Sequence, residues 1–245
     1  MKQLVFLTIA MFIYSATFAQ AVKKKSTTLN QETVVTVEQQ PEEKTGWSEF
    51  HIGVSFPGGD LGDEDYLGAG TGFGIGLKAY KPLESILPNL SLVYGVDLYY
   101  HGLSSDVKDE IEEDGSDIDF THPMYFNLPV MIGGNYTMPL QNSLCLYGEL
   151  ALGVNCSYMT KTTYKYDSNN KYELSIDPAF GFCYGFEAGI VLNDKFHIGV
   201  RYNNLGSNKY KFKETETYDG SSETYKGTTE KIELSNTVLV LGVRF

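Results

Sequence analysis

Eight segments of this sequence alternate apolar and polar residues, and the connectors between them alternate between short and long. Successive side chains of a strand point to opposite faces, so alternation with period two indicates strands with one apolar face. Strands that meet lipid must pair along both edges, because unpaired backbone groups in hydrocarbon are costly. The pattern therefore predicts an all-β fold over residues 47–245: an eight-stranded antiparallel up-and-down transmembrane β-barrel.

The third segment shows the alternation most clearly. From Leu90 to Tyr100 every even-numbered residue is aliphatic or aromatic, whereas the odd-numbered residues include Ser91, Gly95 and Asp97. A slip of one residue would move Asp97 into hydrocarbon, so the register is strongly fixed. We therefore expect the even-numbered side chains to face lipid and Asp97 to face the lumen.

The first residues predict export. Lys2 precedes the apolar run Leu4–Tyr14 and then small residues that suit signal peptidase, which assigns residues 1–19 to a signal peptide. The run is shorter than the roughly 20 residues that a transmembrane helix needs. Residues 20–46 are polar, and we expect a flexible periplasmic arm there. A short partner-binding strand at residues 33–37 is the alternative.

The composition suits a barrel rather than a helical membrane protein. Hydrophobic residues make up 42% of the chain, yet the mean hydropathy is only -0.21. A barrel shows lipid one apolar face per strand and keeps the other face polar, which lowers the average. The net charge of -12 argues against a nucleic-acid partner.

The connectors indicate how the barrel is oriented. Residues 81–89, 139–142 and 193–195 form short connectors, and short turns mark the periplasmic side of outer-membrane barrels. Both termini should then be periplasmic. In two long connectors, apolar and polar residues alternate on both sides of Asn169-Asn170 and of Asp219-Gly220. This pattern predicts extended extracellular hairpins. Their edges would accept a partner's strand, or the hairpins would simply shield the surface.

Six charged residues fall at predicted inward positions. The interior of an eight-stranded barrel is only wide enough to be filled by side chains, so these charges should form an ionic plug. A proton relay or a gated pore is the functional alternative. The predicted lumen network consists of Lys78, Asp97, Glu149, Glu187, Arg201 and Arg244.

The connector from Gly102 to His122 is strongly acidic. We interpret it as a solvated surface, with a divalent-cation site as the alternative; it lacks the spacing of a calcium loop, so no metal ligand is assigned. A hydrolytic trio can be drawn from five nearby residues, but nothing fixes a nucleophile beside a base, so no catalytic residue and no enzyme is predicted. The five are His101, Ser104, Ser105, Asp106 and His122.

Two further motifs are interpreted as structural. The alternate glycines Gly70–Gly76 are not followed by a predicted helix, so they do not form a nucleotide-binding loop, and no cofactor is predicted. Cys145, Cys156 and Cys183 fall at separated positions in the predicted barrel, and we expect no disulfide among them.

Three short segments carry a resemblance to a known family. Tyr125–Val130, Gly185–Leu192 and Val200–Asn203 resemble the PorT-like outer-membrane β-barrels of Bacteroidetes, over residues 47–245. The final residues Val243–Phe245 resemble the carboxy-terminal signal read by barrel-assembly machinery, with Phe245 as the assembly signal. The resemblance implies an eight-stranded outer-membrane barrel, with one branch of the family linked to protein secretion, and it carries no catalytic residues.

Three functions follow as hypotheses. The first is a non-enzymatic surface-interaction or envelope-structural barrel, embedded in outer-membrane lipid and folded by the assembly machinery. The second is an accessory of protein secretion or transport, with a secretion-system partner docked on the periplasmic arm. The third is an enzyme that modifies the envelope, which the absence of an assembled nucleophile and base disfavours.

Overall fold

The computed structural model describes residues 46–114, 119–141, 143–167 and 169–245. The predicted signal peptide and all but the last residue of the predicted arm lie outside the described residues. No helix in the described part of the chain is long and apolar enough to cross a membrane. The strands are β1 (Trp47–Gly59), β2 (Gly72–Pro82), β3 (Leu90–Gly102), β4 (Asp119–Thr121), β5 (Met124–Gln141), β6 (Leu144–Met159), β7 (Thr162–Lys165), β8 (Lys171–Ile176), β9 (Ala179–Leu192), β10 (Phe196–Tyr218) and β11 (Ser221–Arg244), and the helix α1 is Ser105–Asp114.

Eight of these strands form a closed antiparallel ring. The pairing order is β1-β2-β3-β5-β6-β9-β10-β11, and β11 pairs back onto β1. Phe50 on β1 lies opposite Val243 of β11 on one side and Leu77 of β2 on the other. Closure removes the free edges that an open sheet would present to lipid. The predicted eight-stranded antiparallel barrel is confirmed.

The two faces of the ring differ as the alternation predicts. Large apolar side chains point outward and are exposed, as at Leu152, which is 54% exposed in the middle of β6. Polar side chains point inward and are buried, as at Asp97, which is 2% exposed. A water-soluble protein would show the opposite arrangement, and a barrel in lipid requires this one. The register predicted for β3 is correct.

Aromatic side chains mark one end of the lipid-facing surface. Phe73, Tyr100, Phe126 and Tyr158 lie directly opposite one another on successive strands. The ring centroids of Tyr100 and Phe126 are 5.5 Å apart, and those of Phe126 and Tyr158 are 6.3 Å apart. Such belts lie at membrane interfaces. We call this end the long-loop rim, and the end with the turns after β2, β5 and β9 the short-turn rim.

A protruding sheet extends the barrel at the long-loop rim. It consists of β4, β7, β8 and the outer parts of β10 and β11, residues 212–218 and 221–228. The strand β8 pairs with β10, β7 pairs with β8, and β4 pairs with β7. Both hairpins predicted from the sequence are present.

The tip of the β10–β11 hairpin is a two-residue turn with positive φ at both positions. Asp219 has a φ of 46° and Gly220 a φ of 78°, as a turn that matches the twist of antiparallel strands requires. Gly220→Val should destabilise this hairpin by about 1–2 kcal/mol, because a β-branched residue strains that region of φ. Faster amide hydrogen exchange at residues 212–228, with unchanged exchange in the ring, would be the expected result. Gly134→Val is the control, because a methyl group there meets no atom within 4 Å.

The acidic connector contains a helix that the sequence interpretation missed. The helix α1 begins after Ser104, whose Oγ accepts a hydrogen bond from the backbone N–H of Val107 at 3.3 Å. A side-chain oxygen in this position satisfies a free N–H of the first helical turn. The helix has only a weak apolar stripe, so its acidic residues dominated the sequence pattern.

Candidate functional site

The barrel lumen contains a network of buried charged side chains, and Arg201 is at its centre. Arg201 Nη1 donates to Asp97 Oδ1 at 2.7 Å and to the hydroxyl of Tyr99 at 3.0 Å. Arg201 Nε donates to Glu187 Oε2 at 2.5 Å. The planar guanidinium group reaches two carboxylates from different strands because its donors point in several directions. Arg201 therefore ties β10 to β3 and β9 through the lumen.

Lys78, on β2, shares Glu187 with Arg201 and adds a further carboxylate to the network. Its Nζ donates to Glu149 Oε1 at 2.6 Å and to Glu187 Oε2 at 2.8 Å. Glu187 also accepts a hydrogen bond from the hydroxyl of Tyr147 at 2.6 Å. Five of the six predicted lumen residues therefore form one continuous chain of contacts, in the order Asp97, Arg201, Glu187, Lys78 and Glu149.

Arg244 lies at the edge of this group and pairs with a residue that the sequence interpretation missed. Its Nε donates to Glu49 Oε2 at 3.2 Å, and its guanidinium carbon lies 5.4 Å from the centroid of the Tyr80 ring. The Tyr80 hydroxyl is within 3.3 Å of both Glu49 and Glu149. Glu49 thereby joins Arg244 to the other charges.

The six predicted lumen residues, three acidic and three basic, are only part of the network. Glu49 adds a fourth carboxylate to three permanent cations, and two histidines are in contact with the network. His51 Nε2 lies 2.5 Å from Asp97 Oδ1. The two ring nitrogens of His197 lie 3.2 Å from Glu49 and 3.5 Å from Glu187. A proton on His197 would supply the missing positive charge.

These three residues were detectable in principle. Positions 49 and 51 share the inward parity of β1, and position 197 shares the inward parity of β10 with Arg201. Glu49 precedes the clear part of the first alternating segment, and histidines were not counted as charges. Strand parity, extended to both ends of each strand, would have found all three.

Above the ionic layer lies a layer of amides and hydroxyls. Asn155 Nδ2 donates to Asn127 Oδ1 at 2.9 Å, and Asn203 Nδ2 donates to Asn236 Oδ1 at 2.8 Å. Asn236 Nδ2 in turn donates to Ser55 Oγ at 2.9 Å. Buried polar groups are stabilising when they find partners in this way. This layer separates the charges from the apolar side chains above.

The lumen near the long-loop rim is filled by apolar side chains. Leu205, Tyr210 and Val238 point inward from the strands, while Leu61 and Ala69 come from the connector between β1 and β2. Leu61 and Leu205 are almost completely buried. The connector therefore folds into the mouth of the barrel, where it contributes to a small apolar core.

The five residues from which a hydrolytic trio could be drawn do not form a catalytic arrangement. His101 is buried in the lumen, where its Nε2 lies 2.9 Å from Ser55 Oγ. Ser104 caps α1, and Ser105 Oγ donates to Asp106 Oδ1 at 3.2 Å. The ring of His122 packs against Phe120 at 4.8 Å. No hydroxyl of this set is hydrogen-bonded to either histidine, so the arrangement that nucleophilic catalysis requires is missing.

The described part of the chain contains no group of three or more His, Cys, Asp or Glu residues arranged to hold a metal ion. The side chains of some acidic residues in the connector Gly102–His122 lie outside the described set. Cys145, Cys156 and Cys183, all in the described strands, are free.

The protruding sheet carries aromatic rings on the face that continues the lumen face. Phe120 stacks on Tyr164 at 4.4 Å, and Tyr164 lies 5.9 Å from Tyr172. Burial raises the pKa of Tyr172 to about 12, and its hydrogen bond to Glu214 acts in the same direction. The rings cover one another across β4, β7 and β8, so they stabilise the sheet by cross-strand contact.

Comparison with known proteins identifies the family. The sequence profile of the family described as "Outer membrane protein beta-barrel domain" matches residues 33–245, which include the whole ring. The chain belongs to this family. It is therefore an outer-membrane β-barrel, and its location is the outer membrane.

Solved structures of outer-membrane proteins resemble the chain at low sequence identity. A major outer membrane protein from Thermus thermophilus is 12% identical, with 82% of this chain and 100% of that chain covered and a TM-score of 0.51. OprG from Pseudomonas aeruginosa is 12% identical, covers 82% of this chain and 94% of its own, and has a TM-score of 0.43. Neisserial surface protein A is 13% identical, with 81% and 95% covered and a TM-score of 0.42. No curated protein sequence matches the chain.

Proposed function

We propose that this outer-membrane barrel is a non-enzymatic surface-interaction or envelope-structural protein that acts through its protruding sheet. The packing of the lumen carries the proposal. An ionic layer, an amide layer and an apolar layer occupy the interior, and many of their side chains contact one another. What remains available to a partner is the sheet beyond the ring. We place this sheet outside the cell and both termini in the periplasm, as short periplasmic turns favour.

One free edge of the protruding sheet, that of β11, is suited to strand addition by a partner protein. Among the described strands, β11 between Ser221 and Ile232 pairs with β10 alone. An unpaired edge offers backbone donors and acceptors to an extended segment of another protein. A surface protein with an exposed strand is the partner class that this geometry fits.

A shortened hairpin tests this role. A variant in which residues 213–226 are replaced by an Asn-Gly turn should keep the barrel folded and lose its cross-links to surface proteins in intact cells. The full chain with Gly220→Val, which alters only the turn, should keep part of that cross-linking. An unchanged cross-link pattern in the shortened variant would contradict the proposal. Loss of protein export in that variant would favour the secretion-accessory role, which a PorT-like affiliation suggests.

A closed lumen predicts the absence of stable conductance. The wild-type protein, reconstituted in planar bilayers, should show no long-lived openings, because side chains fill an interior of this strand number. An open porin in the same bilayers serves as the positive control. Stable openings of the wild-type protein would contradict the closed lumen and support a gated pore.

We further propose that Phe245 is read by the barrel-assembly machinery. Its ring is 72% exposed at the short-turn rim, while its backbone pairs with Ser48 through two hydrogen bonds of 2.9 Å. Phe245→Ala should therefore lower the yield of assembled barrel in cells several-fold, with little change in the free energy of unfolding of the purified protein. Phe196→Ala is the matched control, because Phe196 is an exposed ring at the same rim on β10. Equal losses in both variants would argue against a terminal signal.

A further inference from the structure

Five lysines lie on one face of the β10–β11 hairpin, just beyond the ring. Lys209, Lys211 and Lys213 alternate along β10, and Lys226 and Lys231 lie opposite them on β11. All five are exposed, and the nearby acidic residues Glu214, Glu216 and Glu223 have the parity of the opposite face. We call this set of five lysines the basic face. It continues the lipid-facing side of the barrel.

The basic face places like charges directly against each other. Lys209 lies opposite Lys231, and Lys213 lies opposite Lys226. Directly opposed like charges destabilise an antiparallel pair. This repulsion is unexpected in a chain whose net charge is -12. An anion bound against these lysines would offset their mutual repulsion.

The described carboxylates on the same side of the sheet form no ion pair with the lysines of the basic face, and one of them is paired with other lysines. Glu173 Oε1 lies 2.5 Å from Lys161 Nζ and 3.5 Å from Lys171 Nζ. The hydrogen bond from Lys161 lowers the pKa of Glu173. No ion pair within 4.0 Å joins a lysine of the basic face to a carboxylate of the described residues. Other carboxylates on or beside this side of the sheet include Asp60, Asp119, Asp177 and Glu233.

The height of the basic face relative to lipid follows from the neighbouring strand. Phe180 and Phe182 of β9 are exposed on the lipid-facing surface. A methyl group added to Gly181, between them, would lie 2.5 Å from Asn208 Oδ1, so this part of β9 is level with Asn208. Along the barrel axis, Lys209 is therefore the first lysine of the basic face beyond the aromatic residues of β9. Aromatic residues mark the interface, which puts the lysine ammonium groups at headgroup level.

We propose that the basic face binds the phosphate groups of anionic lipids in the leaflet at the long-loop rim. This is the outer leaflet in the orientation proposed above. Phosphate oxygens accept hydrogen bonds from ammonium groups, and several lysines at headgroup level attract anionic lipid additively. The inference goes beyond the role in partner binding, because it concerns the lipid around the barrel and requires no partner protein.

Lipid selectivity of the full chain tests the proposal. The protein is reconstituted in phosphatidylcholine bilayers with spin-labelled phosphatidylglycerol, and electron spin resonance gives its association relative to labelled phosphatidylcholine. The wild-type protein should prefer the anionic lipid, and Lys209→Gln/Lys231→Gln should weaken that preference about fivefold or more at low salt. The control Lys161→Gln/Lys171→Gln removes two lysines at the same rim that are already paired with Glu173. It should keep most of the preference.

The stability of the same variants gives a second readout that does not depend on labelled lipid. In neutral bilayers Lys209→Gln/Lys231→Gln should raise the unfolding midpoint, because a like-charge pair is removed. In bilayers containing phosphatidylglycerol the same variant should lower it, because lipid contacts are lost. A merely structural role for these lysines would give the same sign in both lipids.

Several outcomes would overturn the proposal. They are a wild-type protein without preference for phosphatidylglycerol, an equal loss in the two variants, or no reversal of sign between lipids. Dextran sulfate, a soluble polyanion, is added to the protein in neutral bilayers. This tests whether the basic face binds soluble anions rather than lipid phosphates. If dextran sulfate stabilises the wild-type protein as strongly as phosphatidylglycerol does, the face binds soluble polyanions and the lipid assignment is wrong. None of these results depends on whether the shortened hairpin keeps its cross-links.

Discussion

Replacing Arg201 by methionine should lower the free energy of unfolding of the barrel by about 3–5 kcal/mol, the effect expected when one partner of a buried ion pair is removed. Arg201 is almost completely buried and contacts Asp97 and Glu187 at 2.7 Å and 2.5 Å. Methionine fills a similar volume and supplies no donor. Asp97 and Glu187, both buried, would then share fewer cations.

Equilibrium unfolding in guanidinium chloride, with the barrel in lipid bilayers, measures this loss. Lys81→Met, which removes an exposed cation from β2, is the control and should change the free energy of unfolding by less than about 0.5 kcal/mol. Adding Asp97→Asn to Arg201→Met should recover part of the loss, because one uncompensated charge is removed. A loss below about 1 kcal/mol for Arg201→Met would contradict a cohesive ionic layer.

Leu152→Arg should destabilise the barrel by about 2–4 kcal/mol in lipid, because a charged side chain on the lipid face is costly near the middle of the bilayer. Leu152 is 54% exposed and lies between Ile132 of β5 and Tyr184 of β9. In a water-soluble protein, the same substitution at an exposed position would change stability little. The size of the effect therefore measures how deeply β6 is embedded.

Tyr225→Arg is the matched control for this substitution. Tyr225 is also a large exposed hydrophobic residue, at 64%, but it lies on the protruding sheet. Its replacement should change the free energy of unfolding by less than about 0.5 kcal/mol. Equal costs at the two positions would place both in lipid, or both in water, and would contradict the boundary drawn at the long-loop rim.

Local alternation made much of the barrel predictable. Each strand with one face in lipid must place apolar residues at every second position, so the sequence reveals strand, face and register together. Asp97 fixed the register of β3 in this way, and Asp219-Gly220 fixed a hairpin through the φ values that its turn needs. Of the charged residues now seen in the lumen, parity identified Lys78, Asp97, Glu149, Glu187, Arg201 and Arg244.

The residues that were missed lie where local pattern is weak. Glu49 precedes the clear alternation of β1, and His197 is a histidine, which the count of lumen charges leaves out. The helix α1 is hidden by its acidic residues, and β4 is a strand of three residues that is defined by pairing with β7. Short elements of this kind depend on contacts with distant parts of the chain.

Strand number, closure and the side chains that face lipid are consequences of the sequence, because period-two alternation and the need to pair every backbone group in hydrocarbon act locally and everywhere. Only the folded barrel determines which inward groups meet. Asp97 and Arg201 are 104 positions apart in the chain, and closure of the ring brings their side chains into contact. The two basic pairs of the β10–β11 hairpin likewise depend on a bulge that shifts the register between Lys209 and Lys211. Contacts across a closed barrel are set by its shear, the stagger that accumulates over all eight strands, and no single strand encodes it.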